Sequence, residues 1–252
     1  MSSSSASLLL LIALIVVVAM GKKIRIFLPS EHLSPDSRDT VKLAMGLVAT
    51  MTALLLGLLV SSAKGTYDTR RSEIIQMSSA VSFLNRLLLL YGPETTAVRA
   101  GLRDGVAESI HQMWPETSIP NGVLAPAATA ASSTFAAIQG LTPNNDLQRE
   151  LKTLATSQAV EIGSLRMLIV AQAVPSIPIP LLIMVGCWLL IIFLGFSLLA
   201  PPNTTTLLAL TSAAVSVAGA VFLIMELDEP LSGIIRISDV PMQRAFSMLE
   251  KS

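Results

Sequence analysis

Four apolar blocks, at residues 7–20, 41–63, 176–199 and 204–225, leave this chain few ways to fold in water. A run of roughly 20 apolar residues matches the hydrocarbon thickness of a bilayer, where a helix is one of the few structures that satisfies its own backbone. Composition agrees, since 52% of the 252 residues are hydrophobic and only 13% charged, outside the range of ordinary soluble domains. Between the second and third blocks, residues 64–175 carry 9 basic and 9 acidic side chains in amphipathic order. The expected fold is all-α: a multipass membrane protein of about four transmembrane helices, with a helical hairpin insertion between the second and third. The chain then divides into an N-terminal anchor and second transmembrane helix (1–63), an extramembrane helical stalk (64–175), a transmembrane hairpin (176–225) and an amphipathic C-terminal tail (226–252).

Several function classes fall away at once. With 17 basic and 17 acidic residues, and no Lys/Arg cluster interleaved with aromatics, the chain has no field to attract nucleic acid. The single cysteine, Cys187, lies in the third block, so an intrachain disulfide framework or multi-thiolate metal site is excluded and a packing role is expected. Glu108 and His111 stand three residues apart, the spacing that puts two ligands on one helix face in di-iron carboxylate bundles. Such sites need a second pair and further glutamates, and the only other histidine, His32, lies in the first loop. No Gly-x-Ser-x-Gly elbow and no Gly-rich phosphate loop occur. The chain is therefore expected to be no enzyme, with no catalytic residue, cofactor or metal, and its first partner is the lipid bilayer.

The first block is short for a span unless Ile24, Ile26, Phe27 and Leu28 extend it past Lys22, Lys23 and Arg25. A signal peptide carries its charge before its apolar run. Here residues 1–7 are uncharged and the basic cluster follows, so a retained anchor is expected. In the second block Gly46 and Gly57 would let another helix approach closely. Pro175, Pro178 and Pro180 mark the edge of the third, in which Trp188 is expected to pack. Asn203 suits the N-cap of the fourth, whose Thr205, Thr206, Thr211, Ser212 and Ser216 either line water or bond a neighbouring helix. Lys22, Lys23, Arg25 and Arg38 argue by the positive-inside rule for a cytoplasmic first loop and an insertion on the far side, while Lys64, Arg70 and Arg71 pull the other way.

Within the insertion, Ile74, Met77, Val81, Leu84, Leu88 and Tyr91 recur in steps of three and four, the heptad seam of a coiled coil. Gly92-Pro93 ends that helix, and a third helix is expected over residues 93–114. Residues 115–144 read as a long connection with at most a short helix near 127–139. A helix over 145–172 presents Leu147, Leu151, Leu154, Leu165 and Leu168 as its seam. Gln158 and Glu161 fall on the same line, either as a buried polar pair setting register or as solvated residues on a rotated helix. The tail opens with Glu226, Asp228 and Glu229, then Pro230, Ser232 and Gly233, a candidate functional motif. Carboxylates beside hydrocarbon either border an ion path or cap the helix exit. The amphipathic segment beyond is expected to fold back onto the membrane surface or the stalk, with Pro241 opening a last helix.

Several runs bear a family likeness: Glu31-His32-Leu33-Ser34-Pro35-Asp36-Ser37-Arg38-Asp39, Gly46-Leu47-Val48-Ala49-Thr50, Leu56-Gly57-Leu58-Leu59, Tyr91-Gly92-Pro93-Glu94, Ser176-Ile177-Pro178, and above all Leu227-Asp228-Glu229-Pro230-Leu231-Ser232-Gly233 with Ile237-Ser238. In these the chain resembles the bacterial family of unknown function called bestrophin-like, from about residue 30 to the end. The resemblance implies an oligomeric, anion-conducting channel of a bacterial inner membrane, built from several copies around an axis, with a cytoplasmic insertion. No pore residue transfers by position. The contrasting expectation is a non-conducting structural protein that docks membrane or envelope partners through its stalk and tail.

Overall fold

The computed structural model describes residues 3–27, 35–114, 128–172, 177–201, 203–231 and 233–250, and among them the regular structure is helical. In chain order the helices are α1 (Ser3–Phe27), α2 (Pro35–Tyr91), α3 (Thr96–Met113), α4 (Ala128–Gln139), α5 (Asp146–Ala171), α6 (Ile179–Leu199), α7 (Thr204–Asp228) and α8 (Val240–Glu250). Five of these, α1, α2, α5, α6 and α7, are long and apolar enough to cross a membrane by length and composition, α5 being the least apolar. The four apolar blocks fall on α1, the first half of α2, α6 and α7, the pattern of an all-α multipass membrane protein. The chain forms two compact units, one of Met1–Thr66, Pro175–Glu229 and Gly233–Ile235, the other of Tyr67–Val174, Pro230–Ser232 and Arg236–Ser252. The 57-residue α2 supplies part of each.

In the first unit, α1 starts before its apolar block and continues through Lys22, Lys23 and Arg25 to Phe27. This gives it 25 residues, the length that the apolar block alone lacked. It lies antiparallel to α7, with Ser3 against Glu226 near one end and Lys22 beside Leu207 near the other. Against α6 the approach is close: the Ser197 hydroxyl donates to the Val18 carbonyl at 2.6 Å, and a Cβ on Gly21 would stand 2.7 Å from that of Ser197. Small residues permit such contact between helices in lipid, where van der Waals packing replaces the hydrophobic drive. The Arg25 guanidinium donates to the Ala200 carbonyl, which α6 leaves unpaired at its end. Asn203 caps α7 as expected, its side chain accepting from the Thr206 N–H at 2.8 Å.

Two expectations for this unit need correction. Gly46 and Gly57 face open space within the chain, and the close approaches occur at Gly21 and Gly195 instead. Cys187 is exposed rather than packed; α6 is apolar on every side, so its sequence gives no clue to the packed face. Of the α7 hydroxyls, Thr211 donates to the Leu207 carbonyl and Ser216 to that of Ser212, one turn back on α7 itself.

The second unit is built on the last part of α2. Gln148 at the start of α5 donates to the Tyr91 carbonyl at 2.9 Å, and the Gln172 amide after its end reaches Glu73 at 3.0 Å, so the two helices run antiparallel. The helix α8 lies parallel to α2: Ser78 donates to the Pro241 carbonyl and, seven residues on, Asn85 to that of Met248. Helices α3 and α4 complete a core that includes Leu84, Leu102, Ile138, Leu151 and Met242. The expected α5 seam is only half right. Leu151 and Leu165 are buried, whereas Leu147, Leu154 and Leu168 are 63%, 49% and 46% exposed and Ala155 and Ile169 take their places. The helix is rotated, and Gln158 and Glu161 bond each other on its exposed side.

Candidate functional site

Helix α7 runs past its apolar block to Asp228, which brings Glu226 and Asp228 into its last turn. Glu226 is 2% exposed, a position at which an unpaired carboxylate would be costly. It is instead ligated by the protein. One oxygen accepts the Ser3 hydroxyl at 2.5 Å, and the other accepts the backbone N–H groups of Ile234 and, at 3.3 Å, Ile235. Consecutive amides converge on one anion only where the chain turns sharply, and Gly233 makes that turn with φ +85°. A Cβ on Gly233 would lie 2.8 Å from the Glu226 carboxyl carbon, so the glycine is required both by its backbone angle and by the carboxylate against it.

Asp228, also buried, accepts the Ile177 N–H at 3.3 Å just ahead of α6, where a negative charge favours the first amides of a helix. Glu229 is exposed at the end of α7, and Pro230 is buried with its carbonyl accepting the Ile237 N–H at 2.8 Å. Ser232 lies outside the described residues, as does His32. The motif residues Glu226 and Gly233 are thus brought into contact, and Asp228 faces a different partner. A carboxylate accepting from two amides and a hydroxyl gives a passing ion little free coordination. Among the described residues no group of three or more His, Cys, Asp or Glu side chains could hold a metal ion.

The seam residues Ile74, Met77, Val81, Leu84, Leu88 and Tyr91 are all 4% exposed or less and share one apolar core. Polar groups close both ends of the α2–α5 pair. Besides the Gln148 bond to Tyr91, the Arg70 guanidinium donates to the Gln172 carbonyl, satisfying an acceptor beyond the end of α5. The Tyr91 hydroxyl is buried without a hydrogen-bond partner among the described residues. Glu108 and His111 are exposed, and Glu108 accepts from Gln112 at 2.5 Å rather than facing the imidazole.

On the first half of α2, Met45, Thr52, Leu59 and Ala63 are buried. Another face is open: Gly46, Thr50, Ala53, Gly57 and Ser61, in steps of three and four, are all exposed, and nothing lies within 4 Å of where a Cβ on Gly46 or Gly57 would sit. The Thr50 hydroxyl is satisfied by the Gly46 carbonyl. Of this line sequence reasoning named Gly46 and Gly57, as sites of close helix approach, and not Thr50, Ala53 and Ser61, although a helical projection of residues 41–63 would have drawn all five. Ser3 and Ile177 could not have been found that way, because their bonds to Glu226 and Asp228 join residues far apart in the chain.

The model of the family described as Bestrophin-like domain matches residues 10–242. No curated protein matches. Among solved structures, a point variant of a bacterial bestrophin homologue from Klebsiella pneumoniae is similar at TM-score 0.71 and 14% identity, covering 97% of each chain. The same homologue solved by zinc phasing gives TM-score 0.67 at 14% identity, over 95% of this chain and 97% of that one. A variant described simply as a membrane protein reaches TM-score 0.75 at 14% identity, with 97% of each chain covered.

Proposed function

We propose, from the premise that this chain belongs to the Bestrophin-like domain family, that it is the subunit of an oligomeric ion channel whose conducting path is bordered by the open line of α2. Gly46, Thr50, Ala53, Gly57 and Ser61 carry the proposal. They run along the apolar part of α2 with no covering side chain recorded at Gly46 or Gly57, while Thr52 and Leu59 on the same helix are packed. Small side chains and glycine leave room around an axis and expose main-chain carbonyls, the kind of oxygen that replaces part of an ion's hydration shell. A single subunit has too few membrane helices to enclose an aqueous path, so conduction requires several copies. The buried motif around Glu226 then serves the tail's conformation rather than the ion.

Reconstitution into liposomes with separate chloride and potassium flux assays tests this reading. Flux of at least one ion is expected, together with a ring of four or more copies by native mass spectrometry. Gly57→Trp should assemble normally, because its side chain points into open space, and should abolish flux. Absence of flux from the unsubstituted protein, or unchanged flux through Gly57→Trp, would overturn the assignment and favour a docking role.

A further inference from the structure

Between α1 and α7 a groove of about 280 Å³ opens on the surface of the first unit, lined by Ile15, Val18, Ala19, Leu207, Thr211 and Ala214, with Lys22 among its lining residues. Its floor and walls differ sharply in exposure. Val18 and Ala214 are 3% and 0% exposed, whereas Ile15 and Leu207 stand 44% and 40% exposed on either side. The one hydroxyl present, on Thr211, donates to the Leu207 carbonyl, and apart from it and Lys22 the lining is hydrocarbon. Ile15 and Lys22 are seven residues apart, which makes the groove about 10 Å long.

Lys22 differs from its neighbours. Arg25 is committed to the Ala200 carbonyl, and Lys23 is exposed away from the groove. Lys22 is half-buried and makes no hydrogen bond or ion pair with any described residue. A lysine stem lying along apolar side chains carries its ammonium toward the headgroup level, where a negative group can pair with it. Leu207 lies in the first turn of α7, whose N-terminal amides add positive potential to that end of the groove. Basic groups beside a cleft between transmembrane helices are a recognised arrangement for anionic headgroups.

We propose that this groove binds one anionic phospholipid, an acyl chain lying over Val18 and Ala214 and the phosphate-bearing headgroup held by Lys22. The site is separate from the α2 line and does not depend on conduction.

Native mass spectrometry of the full chain released from nanodiscs containing equal phosphatidylglycerol and phosphatidylcholine tests it. The unsubstituted protein should retain phosphatidylglycerol in preference. Lys22→Gln should reduce that preference by about tenfold, the effect of losing one favourable charged contact. Lys23→Gln should leave it unchanged, and Ala19→Phe, which adds bulk at an exposed position in the groove, should lower retention of both lipids. Equal retention of the two lipids by the unsubstituted protein, or full retention by Lys22→Gln, would overturn the site. An equal loss in Lys23→Gln would also overturn it, by showing diffuse surface attraction in place of a groove. Lys22→Gln alters only a partly exposed side chain, so the result stands even if Ala19→Phe folds poorly.

Discussion

Replacing Gly233 with alanine sets two costs against each other that a second substitution can separate. An L-residue held in the left-handed region costs roughly 1–2 kcal/mol. The added Cβ would also lie 2.8 Å from the Glu226 carboxyl carbon, which must shift away from the Ile234 and Ile235 amides. Losing a hydrogen bond to a charged group adds about 1.5–3 kcal/mol. Gly233→Ala should therefore destabilise the protein by about 3–5 kcal/mol, which for a chain of this size lowers the melting temperature by on the order of 10 °C. In a Glu226→Ala background the carboxylate is gone, the steric term vanishes, and the same glycine substitution should cost only the backbone term, roughly 1–2 kcal/mol. The coupling energy between the two sites is then about 2 kcal/mol, the signature of direct contact. Thermal melts of the four proteins in one detergent measure it. Equal losses from Gly233→Ala in both backgrounds would refute the contact between glycine and carboxylate, and an unchanged melt would refute the backbone argument as well. Glu226→Gln sharpens the comparison: it keeps the bulk and an acceptor oxygen but not the charge, so Gly233→Ala should remain costly beside it.

Two further outcomes probe the second unit. Leu151→Asp should unfold it, since that side chain is 7% exposed, whereas Leu147→Asp, at a position 63% exposed, should stay within about 0.5 kcal/mol; circular dichroism melts that rank the two the other way would restore the leucine seam. Tyr91→Phe removes a buried hydroxyl without a partner and should leave stability unchanged or raise it, while a loss of more than about 1 kcal/mol would reveal a bond to that oxygen.

Hydrophobicity and periodicity made much of this architecture legible before any coordinates. Block length located the apolar helices, and the steps from Ile74 to Tyr91 named the face of α2 that is buried. Asn203 showed its capping role because the contact is local, three residues to Thr206. The reading of α5 failed because leucines were counted as core by their size. The helix instead turns Ala155 into the core, 2% exposed, and leaves Leu154 outside. Apolar helices such as α6 carry no amphipathic contrast, so nothing in the order of residues distinguished Cys187 from Val185, although one is exposed and the other 2% exposed. The candidate motif was found by its charge, but its partners were not. Ser3 stands 223 residues from Glu226 in the chain, and only folding brings them together.

That separation bears on how the protein is made. Helix α1 leaves the ribosome well before α6 and α7, the helices it packs against. About 150 residues lie between the end of α1 and the start of α6, and at 5–20 residues per second their translation takes roughly 8–30 s. Throughout that interval Gly21 and the face around Val18 have only lipid, or the insertion machinery, for company. A nascent chain stalled before α6 should therefore hold an α1 that is inserted but unassembled, open to proteases of the membrane until its partners arrive.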